Sequence, residues 1–244
     1  MAGELKAASH LNGFEYSGTE DLVRLEVMEA YNRFIVELVA KATRKTGVNP
    51  KRVLDFGAGI GTLSIQFERA TGMKPIAFEI DEKQAEIIRQ RGYETFTHWE
   101  DVPNNLDCIF ASNVLEHIRE DRAIVTDLRN RLRPGGCLFL LVPAFTFLWT
   151  EMDDQVGHFR RYSRSSLCTV LRECGMRIVE AKYCDSLGFF AIAFLKLSGS
   201  RRSAETTNSL RFYDRRVLPF SRVLDHLGFQ HLCGRNVYVS AIAE

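Results

Sequence analysis

The sequence predicts a doubly wound α/β fold, and three features of the chain carry that prediction. Between residues 53 and 142, apolar strand-like runs alternate with segments of helical periodicity. The first run, VLDF at 53–56, meets three glycines at every second position, which indicates a tight turn between a buried strand and a helix. Each later run is again followed by a helical segment or a turn. In such a fold, ligands bind at the carboxyl ends of the parallel strands.

Length and composition exclude several function classes. The 244 residues suffice for one sizeable core, and the formal net charge of +1 gives no global attraction to nucleic acid, so we expect no nucleic-acid partner. The longest apolar run, Leu187–Leu195, is far shorter than the roughly 20 residues that span a bilayer. The N-terminus lacks the apolar core of a signal peptide. We therefore expect a cytoplasmic protein without an integral membrane segment, which leaves peripheral membrane contact open.

The cysteines do not form a metal or disulfide pattern. There are six of them, mostly inside apolar stretches, and none belongs to a C-x-x-C pair. This pattern favours buried thiols in a reducing compartment over a disulfide framework or a zinc site. No metal is expected.

Hydrophobic periodicity gives the order of the elements. Helices are predicted at Asp21–Thr46, from Thr62, and at Glu82–Arg91, Arg119–Arg133 and Arg164–Cys174. Strands are predicted at Val53–Phe56, Pro75–Ile80, Glu94–Thr97, Leu106–Ser112, Cys137–Val142, Met176–Tyr183 and Val237–Ala243. The chain thus divides into an N-terminal lid or helix at 1–46, a core at 47–184, a helical insertion at 185–235 and a closing strand at 236–244.

The glycine turn indicates a ligand other than a dinucleotide. The dinucleotide fingerprint is G-x-G-x-x-G, whereas here the third glycine, Gly61, comes one residue early and Thr62 takes its place. Asp55 is an acid at the end of an otherwise apolar strand, where burial is costly unless a cation or a hydrogen-bond donor meets it. A ligand with an ammonium group and no pyrophosphate fits this pattern better.

Two acids follow the second strand, and they have different predicted roles. Glu79 lies 22 residues after Gly57, near the spacing at which an acid binds a ribose diol in nucleotide-binding sheets. Asp81 and Gln84 have the spacing of a capping box, which favours Asp81 as the N-cap of the next helix.

The pattern acid-x-Gly-x-Gly-x-Gly resembles the first motif of class I S-adenosylmethionine-dependent methyltransferases. The LRPGG segment at 132–136 is similar to the same family, and D-x-x-x-G-H-x-R-R-Y at 153–162 resembles a bacterial subgroup of it. The resemblance implies a mostly parallel, seven-stranded Rossmann-like sheet with an antiparallel last strand. It also implies S-adenosylmethionine as cofactor, bound by Asp55, Gly57, Ala58, Gly59, Gly61, Glu79 and Ile80.

Further cofactor contacts are expected after the third and fourth strands. The family commonly places an adenine-binding acid about five residues before a proline, but His98 stands at that position here. Substitutes are Trp99, by stacking on the adenine, and Glu100 or Asp101, by accepting its amino group. A surface tryptophan beside a solvated acid pair is the alternative. Asn113 borders the sulfonium end of the cofactor in this resemblance.

The acceptor side is expected on the loop after the fifth strand. His158, His117 and Asp154 are candidate bases, and His117 is equally a candidate structural histidine. Arg160 or Arg161 is predicted to grip a carboxylate or phosphate of the acceptor, with Tyr162 and Tyr16 lining its pocket. The alternative is an ion-pair network in which one arginine pairs with Asp153 or Asp154.

These features favour O-methylation of a small, anionic acceptor. The N-P-P-Y-type tetrapeptide of many amino-group and nucleobase methyltransferases is absent after strand four, where the sequence reads NVLE. The insertion contains a basic amphipathic segment and is expected to form a lid or a homodimer surface. Two alternatives are a nicotinamide-dependent oxidoreductase and a non-catalytic protein that binds the cofactor or a partner.

Overall fold

A computed structural model describes residues 26–198 and 206–244. The strands are β1 Val53–Phe56, β2 Ile76–Phe78, β3 Thr95–Phe96, β4 Leu106–Ser112, β5 Leu132–Pro143, β6 Met176–Cys184 and β7 Asn236–Ala243. The helices are α1 Glu29–Thr46, α2 Thr62–Thr71, α3 Glu82–Gln90, α4 Asp121–Arg131, α5 Glu151–Gln155, α6 Arg164–Glu173, α7 Ser186–Leu197, α8 Thr207–Phe212 and α9 Leu218–His226. A π-helical turn, Tyr213–Val217, joins α8 to α9.

The strands form one seven-stranded sheet in the order β3-β2-β1-β4-β5-β7-β6. β1 pairs in parallel with β2 and β4, and β7 is antiparallel to both β5 and β6. The doubly wound α/β class and the antiparallel last strand are therefore confirmed. Strand order reverses at β1 and β4, which is where an open sheet of this kind forms its ligand crevice.

The first helix is shorter than predicted. α1 begins at Glu29, residues 26 and 27 form a turn, Met28 is the N-cap, and residues 21–25 lie outside the described residues. Gly47 ends the helix in the left-handed conformation, with φ of 73°. Its apolar stripe, which includes Phe34, Ile35 and Val39, is buried against one face of the sheet.

The PGG segment at 134–136, which precedes the predicted fifth strand, lies inside β5. Leu106 pairs with Leu132 and Cys108 with Cys137, so the intervening residues of β5 bulge out of register. Gly135 has φ of 75°, and a Cβ on Gly136 would lie 3.0 Å from the carbonyl oxygen of Leu106. Glycine is required here both for the turn and for the close approach of the two strands.

The insertion is helical in its described part and is anchored by buried polar groups. Asp225 on α9 accepts hydrogen bonds from the amides of Asp185 and Ser186, at 2.9 and 3.1 Å. The outer faces of α7 and α9 nevertheless carry exposed apolar side chains, including Phe194, Leu197 and Phe220. Pro219 stands in the first turn of α9, where its missing amide hydrogen removes no helical hydrogen bond.

The six cysteines are all free, and five of them are buried, as the sequence predicted. Across residues 26–198 and 206–244, no helix combines the length and the apolar character needed to cross a bilayer.

Candidate functional site

The glycine turn adopts a conformation that suits glycine. Gly57, Gly59 and Gly61 have φ of 71°, 59° and 82°, all in the left-handed region. The amides of Gly57 and Ala58 donate to the carbonyl oxygen of Phe78 at 2.9 and 3.0 Å. These hydrogen bonds fix the turn to the end of β2. Because glycine has no side chain, the backbone of the turn is uncovered at the carboxyl end of β1.

The end of β4 packs directly against this turn. A Cβ on Gly57 would lie 2.5 Å from Cγ2 of Val114, so only glycine fits there without a shift of Val114. Asn113 has φ of 55°, and its amide donates to the carbonyl oxygen of Leu141 at 2.8 Å. Asparagine tolerates this left-handed conformation better than most residues. Asn113 is exposed at the carboxyl end of β4.

Glu79 links the turn to the start of α3. Its Oε2 accepts the amide hydrogen of Gly59 at 2.8 Å, and its Oε1 accepts that of Asp81 at 3.0 Å. Because Phe56 pairs with Phe78, Gly57 and Glu79 leave the sheet side by side. Glu79 is buried, and desolvation raises its pKa. The backbone of Ile80 gives a further hydrogen bond, so one of the about four acceptor positions of this carboxylate remains for a ligand.

Asp81 has the structural role that the sequence favoured. It is the N-cap of α3, and its Oδ1 accepts from the amides of Lys83 and Gln84 at 2.9 and 3.0 Å. Two of the otherwise unpaired amides at the helix start are thereby satisfied.

Asp55 lies beneath the glycine turn and is almost inaccessible to solvent. Burial raises its pKa to about 7, against the opposing effect of a hydrogen bond from the Ser64 hydroxyl. That hydroxyl on α2 donates to Oδ2 of Asp55 at 2.6 Å. Asp55 therefore fixes α2 to β1, and near neutral pH it lies close to the midpoint of its titration.

Trp99 is a core residue, which corrects its predicted role as a stacking platform. Its ring meets Phe56 and Phe78 edge-on at 5.4 and 5.2 Å, and the guanidinium of Arg131 lies over its face at 5.1 Å. Only 5% of the residue is exposed, because these neighbours cover it. The alternatives, Glu100 and Asp101, are both exposed.

Asp153 is the centre of the loop after β5. It accepts two bonds from Arg161, Nε to Oδ1 at 2.7 Å and Nη2 to Oδ2 at 2.8 Å, and one from the Thr150 amide. Nδ1 of His158 lies 2.7 Å from its Oδ1. These hydrogen bonds outweigh burial and hold the pKa of Asp153 far below its usual range. Arg161 also donates to the Ala144 carbonyl, so its guanidinium is engaged within the chain.

Arg160 and Tyr162 share a second carboxylate, Asp121. Nη1 of Arg160 lies 2.8 Å from Oδ2 of Asp121, and the Tyr162 hydroxyl donates to the same oxygen at 3.0 Å. Nη2 of Arg160 donates to the carbonyl of Arg119. Tyr162 is buried. The prediction that Arg160, Arg161 and Tyr162 contact an acceptor is thus replaced by internal pairing, the alternative weighed for the arginines, because buried carboxylates need partners.

The candidate bases fall in two places. His117 and His158 lie together, with ring centroids 4.6 Å apart, beside the carboxylate of Glu116. Burial and the neighbouring His158 lower the pKa of His117 to about 4, so its imidazole is neutral at pH 7. Asp154 is exposed and accepts from the indole of Trp149 at 2.9 Å. Tyr16 lies outside the described residues.

The sequence reasoning missed two acids of this region, namely Glu116 and Asp121, whereas Asp153 was one of the two predicted partners of an arginine. Glu116 is fully buried, and desolvation raises its pKa to about 8. The only sequence feature that could have indicated a role for Glu116 was its position next to His117. The sequence does not show that His158, 41 residues after His117, packs against both residues.

A family model described as "Methyltransferase domain" matches residues 27–181, more than half of the chain. The chain belongs to this methyltransferase family. It is an S-adenosylmethionine-dependent methyltransferase of class I, as the glycine motif and its following acid predicted. The nicotinamide-dependent oxidoreductase considered as an alternative is not supported.

Individual relatives are distant. Ribosomal RNA small subunit methyltransferase A of Thermotoga petrophila is 30% identical over 82 residues. The matched segment covers 30% of this chain and 31% of that protein, so the chain spans about a third of this relative's length. A methyltransferase solved with the Haloferax volcanii activator Trm112 is 12% identical, with a TM-score of 0.58 over 94% of this chain and 97% of the other. Magnesium protoporphyrin IX methyltransferase of Synechocystis, solved with S-adenosylhomocysteine, is 16% identical, with a TM-score of 0.54 over 90% and 86%. At these identities the structures share the fold.

Proposed function

We propose that this methyltransferase transfers a methyl group from S-adenosylmethionine to an oxygen of a small molecule. The observation that carries the cofactor assignment is the junction of Gly59 and Glu79 at the carboxyl ends of β1 and β2. It combines a bare backbone turn with a buried carboxylate whose remaining acceptor position suits a hydroxyl of the ribose diol. In this proposal the methionine part lies along Gly57–Gly61 and its ammonium group near Asp55.

The chemistry demands position more than activation, because the sulfonium methyl is already electrophilic. The acceptor oxygen, the methyl carbon and the sulfur must lie in line, away from competing water. Asn113 and Val114 border the turn at the end of β4, which suits the place where the sulfur and methyl would lie. An oxygen nucleophile also loses a proton. Neutral His117, or His158 with its Nδ1 held by Asp153, is the proposed acceptor of that proton.

The segment NVLE after β4 supports an oxygen acceptor over an amino group, since the N-P-P-Y type is absent. An anionic acceptor was predicted because Arg160 or Arg161 could bind its carboxylate or phosphate. In the structure these arginines are paired with Asp121 and Asp153, so they no longer support that prediction. We therefore propose a small acceptor that carries a hydroxyl group. The product identified in the experiment below shows whether this acceptor also carries a negative charge.

Binding and transfer are measured in sequence. Calorimetry with S-adenosylmethionine and S-adenosylhomocysteine is expected to give micromolar Kd values, about −8 kcal/mol. The protein is then incubated with methyl-labelled cofactor and a small-molecule cell extract, and products are identified by mass spectrometry. A labelled O-methyl product supports the proposal. An N-methyl product overturns the choice of oxygen, and cofactor binding without transfer to any extract favours the non-catalytic alternative.

For the helical insertion, residues 185–235, we propose a homodimer surface in preference to a lid. The supporting observation is the row of exposed apolar side chains on its helices, with Phe194 71% and Leu197 88% exposed on α7 and Phe220 68% exposed on α9. Large exposed apolar side chains on two helices that pack together are typical of a protein interface. A second copy of the chain would cover it isologously.

A further inference from the structure

Glu116, His117 and His158 form a compact cluster that the cofactor site does not use. One ligand atom of each residue lies within 4.8 Å of those of the other two. Glu116 and His117 belong to the 3-10 turn after β4, and His158 belongs to the loop before α6. The Phe159 amide donates to the Glu116 carbonyl at 2.8 Å, which fastens the loop to the turn.

Glu116 is the unusual member of this cluster. Its side chain is 0% exposed, and within the described part of the chain neither carboxyl oxygen has a hydrogen-bond partner. Protonation alone does not resolve this, because Nε2 of His158, which faces Glu116, lies 3.8 Å from its Oε1, beyond hydrogen-bond distance. A buried polar group without a partner costs about 1–3 kcal/mol, and more if charged. In a native fold such a group serves a catalytic role, stores strain, or has a water or an ion as its partner.

The two histidines are oriented by hydrogen bonds of the kind that orient metal-ligating histidines. Asp153, kept ionised by the fork of Arg161, pairs with Nδ1 of His158, so this nitrogen carries the hydrogen. The lone pair of Nε2 then faces Oε1 of Glu116 at 3.8 Å. His117 is oriented by hydrogen bonds to the backbone of Val156 and Gly157. A carboxylate or backbone carbonyl on the second nitrogen is the usual way in which proteins orient a ligating histidine.

We infer that Glu116, His117 and His158 bind a divalent first-row transition-metal ion such as Zn²⁺. Two imidazoles and one carboxylate are donors that suit Zn²⁺, Fe²⁺, Mn²⁺ or Co²⁺, whereas Mg²⁺ and Ca²⁺ prefer oxygen alone. Metal–ligand bonds of about 2.0–2.2 Å place neighbouring ligand atoms roughly 3–4 Å apart. The 3.8 Å between His158 and Glu116 lies in that range. The ion would also neutralise the buried carboxylate.

The site has a consequence for catalysis that rests on the proposed function. Val114 packs on Gly57, so the turn that carries Glu116 and His117 lies beside the cofactor crevice. Three protein ligands leave a coordination position open. With the ion bound, His117 and His158 serve as its ligands, so the metal replaces them as the group that assists deprotonation. A hydroxyl acceptor bound there would release its proton to solvent more readily. Its oxygen would then form the O–CH₃ bond while the CH₃–S bond breaks, with the electron pair passing to sulfur.

Metal binding is tested without reference to activity. The full chain is stripped with EDTA, dialysed and titrated with Zn²⁺ in a calorimeter, with Co²⁺ as a spectroscopic probe. We expect one ion per chain with micromolar or tighter affinity, and visible Co²⁺ bands typical of nitrogen and oxygen ligands. Glu116→Gln and His158→Ala should each weaken Zn²⁺ binding at least tenfold. Millimolar Mg²⁺ should not compete.

The matched control is His226→Ala. His226 is exposed on α9, where its Nδ1 meets the carbonyl of Arg222 at 2.7 Å, so its loss should leave Zn²⁺ affinity and the Co²⁺ spectrum unchanged. Absence of Zn²⁺ binding by the wild type overturns the inference. Unchanged affinity in both Glu116→Gln and His158→Ala also overturns it, since the ion then binds elsewhere. If Glu116→Gln does not fold, His158→Ala decides, because His158 lies at the edge of the cluster.

Cofactor titrations on the same samples separate the two proposals. Zn²⁺ binding without S-adenosylmethionine binding would leave the metal site standing and overturn the cofactor assignment. S-adenosylmethionine binding and methyl transfer by a protein that binds no Zn²⁺, Mn²⁺ or Co²⁺ would overturn the metal site alone.

Discussion

Arg161 and Asp153 form a two-point ion pair in which Nε and Nη2 of the guanidinium each donate to a separate carboxylate oxygen, at 2.7 and 2.8 Å. The side chains are 8% and 1% exposed, so the pair is largely removed from solvent. Such a fork has geometry that lysine cannot reproduce. The pair holds the loop that also positions His158, and it makes Arg161 a structural residue.

Arg161→Lys is therefore expected to destabilise the protein by about 1–3 kcal/mol while leaving cofactor affinity unchanged, because the charge persists but the fork is lost. Arg160→Lys is the control, since its side chain is 29% exposed, and it should cost no more than about 1 kcal/mol. Urea denaturation and calorimetry measure both. An Arg161→Lys variant as stable as the wild type would refute the structural role.

Glu79→Ala should weaken S-adenosylmethionine binding by about 1–3 kcal/mol, because a carboxylate acceptor for the ribose is removed. Asp81→Ala is the matched comparison and should instead lower stability by about 1 kcal/mol through loss of the N-cap. Calorimetry and melting curves on both variants separate these roles. If Asp81→Ala impaired binding more than Glu79→Ala, the ribose assignment would be wrong.

Gly57→Ala and Gly72→Ala test the glycine turn as a matched pair. Both glycines have positive φ, at 71° and 74°, but a Cβ meets Val114 at 2.5 Å at Gly57 and has nothing within 4 Å at Gly72. We expect Gly57→Ala to cost about 1–3 kcal/mol more than Gly72→Ala and to weaken cofactor binding. Adding Val114→Ala should restore part of the loss, as a double-mutant cycle would measure. Equal losses for the two glycines would argue against the tight contact.

Asp55 predicts a specific pH dependence. Its pKa is about 7 in the folded protein and about 3.9 in an unfolded chain, so the folded state binds more protons between these values. Its contribution to stability is therefore complete below pH 4 and declines as the pH rises to 7, by up to about 4 kcal/mol. Asp55→Asn should remove this decline in the cofactor-free protein. Urea denaturation at several pH values measures the free energy of unfolding of the wild type and of Asp55→Asn. The same dependence of this free energy on pH in both proteins would contradict the prediction.

The insertion predicts a dimer. We expect light scattering after gel filtration to give twice the chain mass for the wild type and the monomer mass for Phe194→Glu and Leu197→Glu. Melting temperatures should change little, because both side chains are exposed. Phe159→Ser is the control, since Phe159 is exposed outside the insertion. A monomeric wild type would return the insertion to the lid hypothesis.

The sequence by itself determined the sheet and the cofactor end of the site. Periodicity predicted the strands to within a few residues, because burial on both faces of a parallel strand leaves a continuous apolar run. The exception is β5, which begins at Leu132 and not at the predicted Cys137. Three spaced glycines required positive φ, and the structure shows it at each one. The capping role of Asp81 also followed from local spacing, since an N-cap contacts amides only two or three residues away.

Only the tertiary structure decided the partners of the loop residues. Arg160 pairs with Asp121 and Arg161 with Asp153, and Trp99 is covered by Arg131, through contacts that span up to 39 residues of chain. A sequence shows which side chains can pair but not which carboxylate meets which guanidinium, since that choice depends on how distant segments fold together. The same reason hid the meeting of Glu116 and His158, whose shared surroundings arise from packing and from no local pattern.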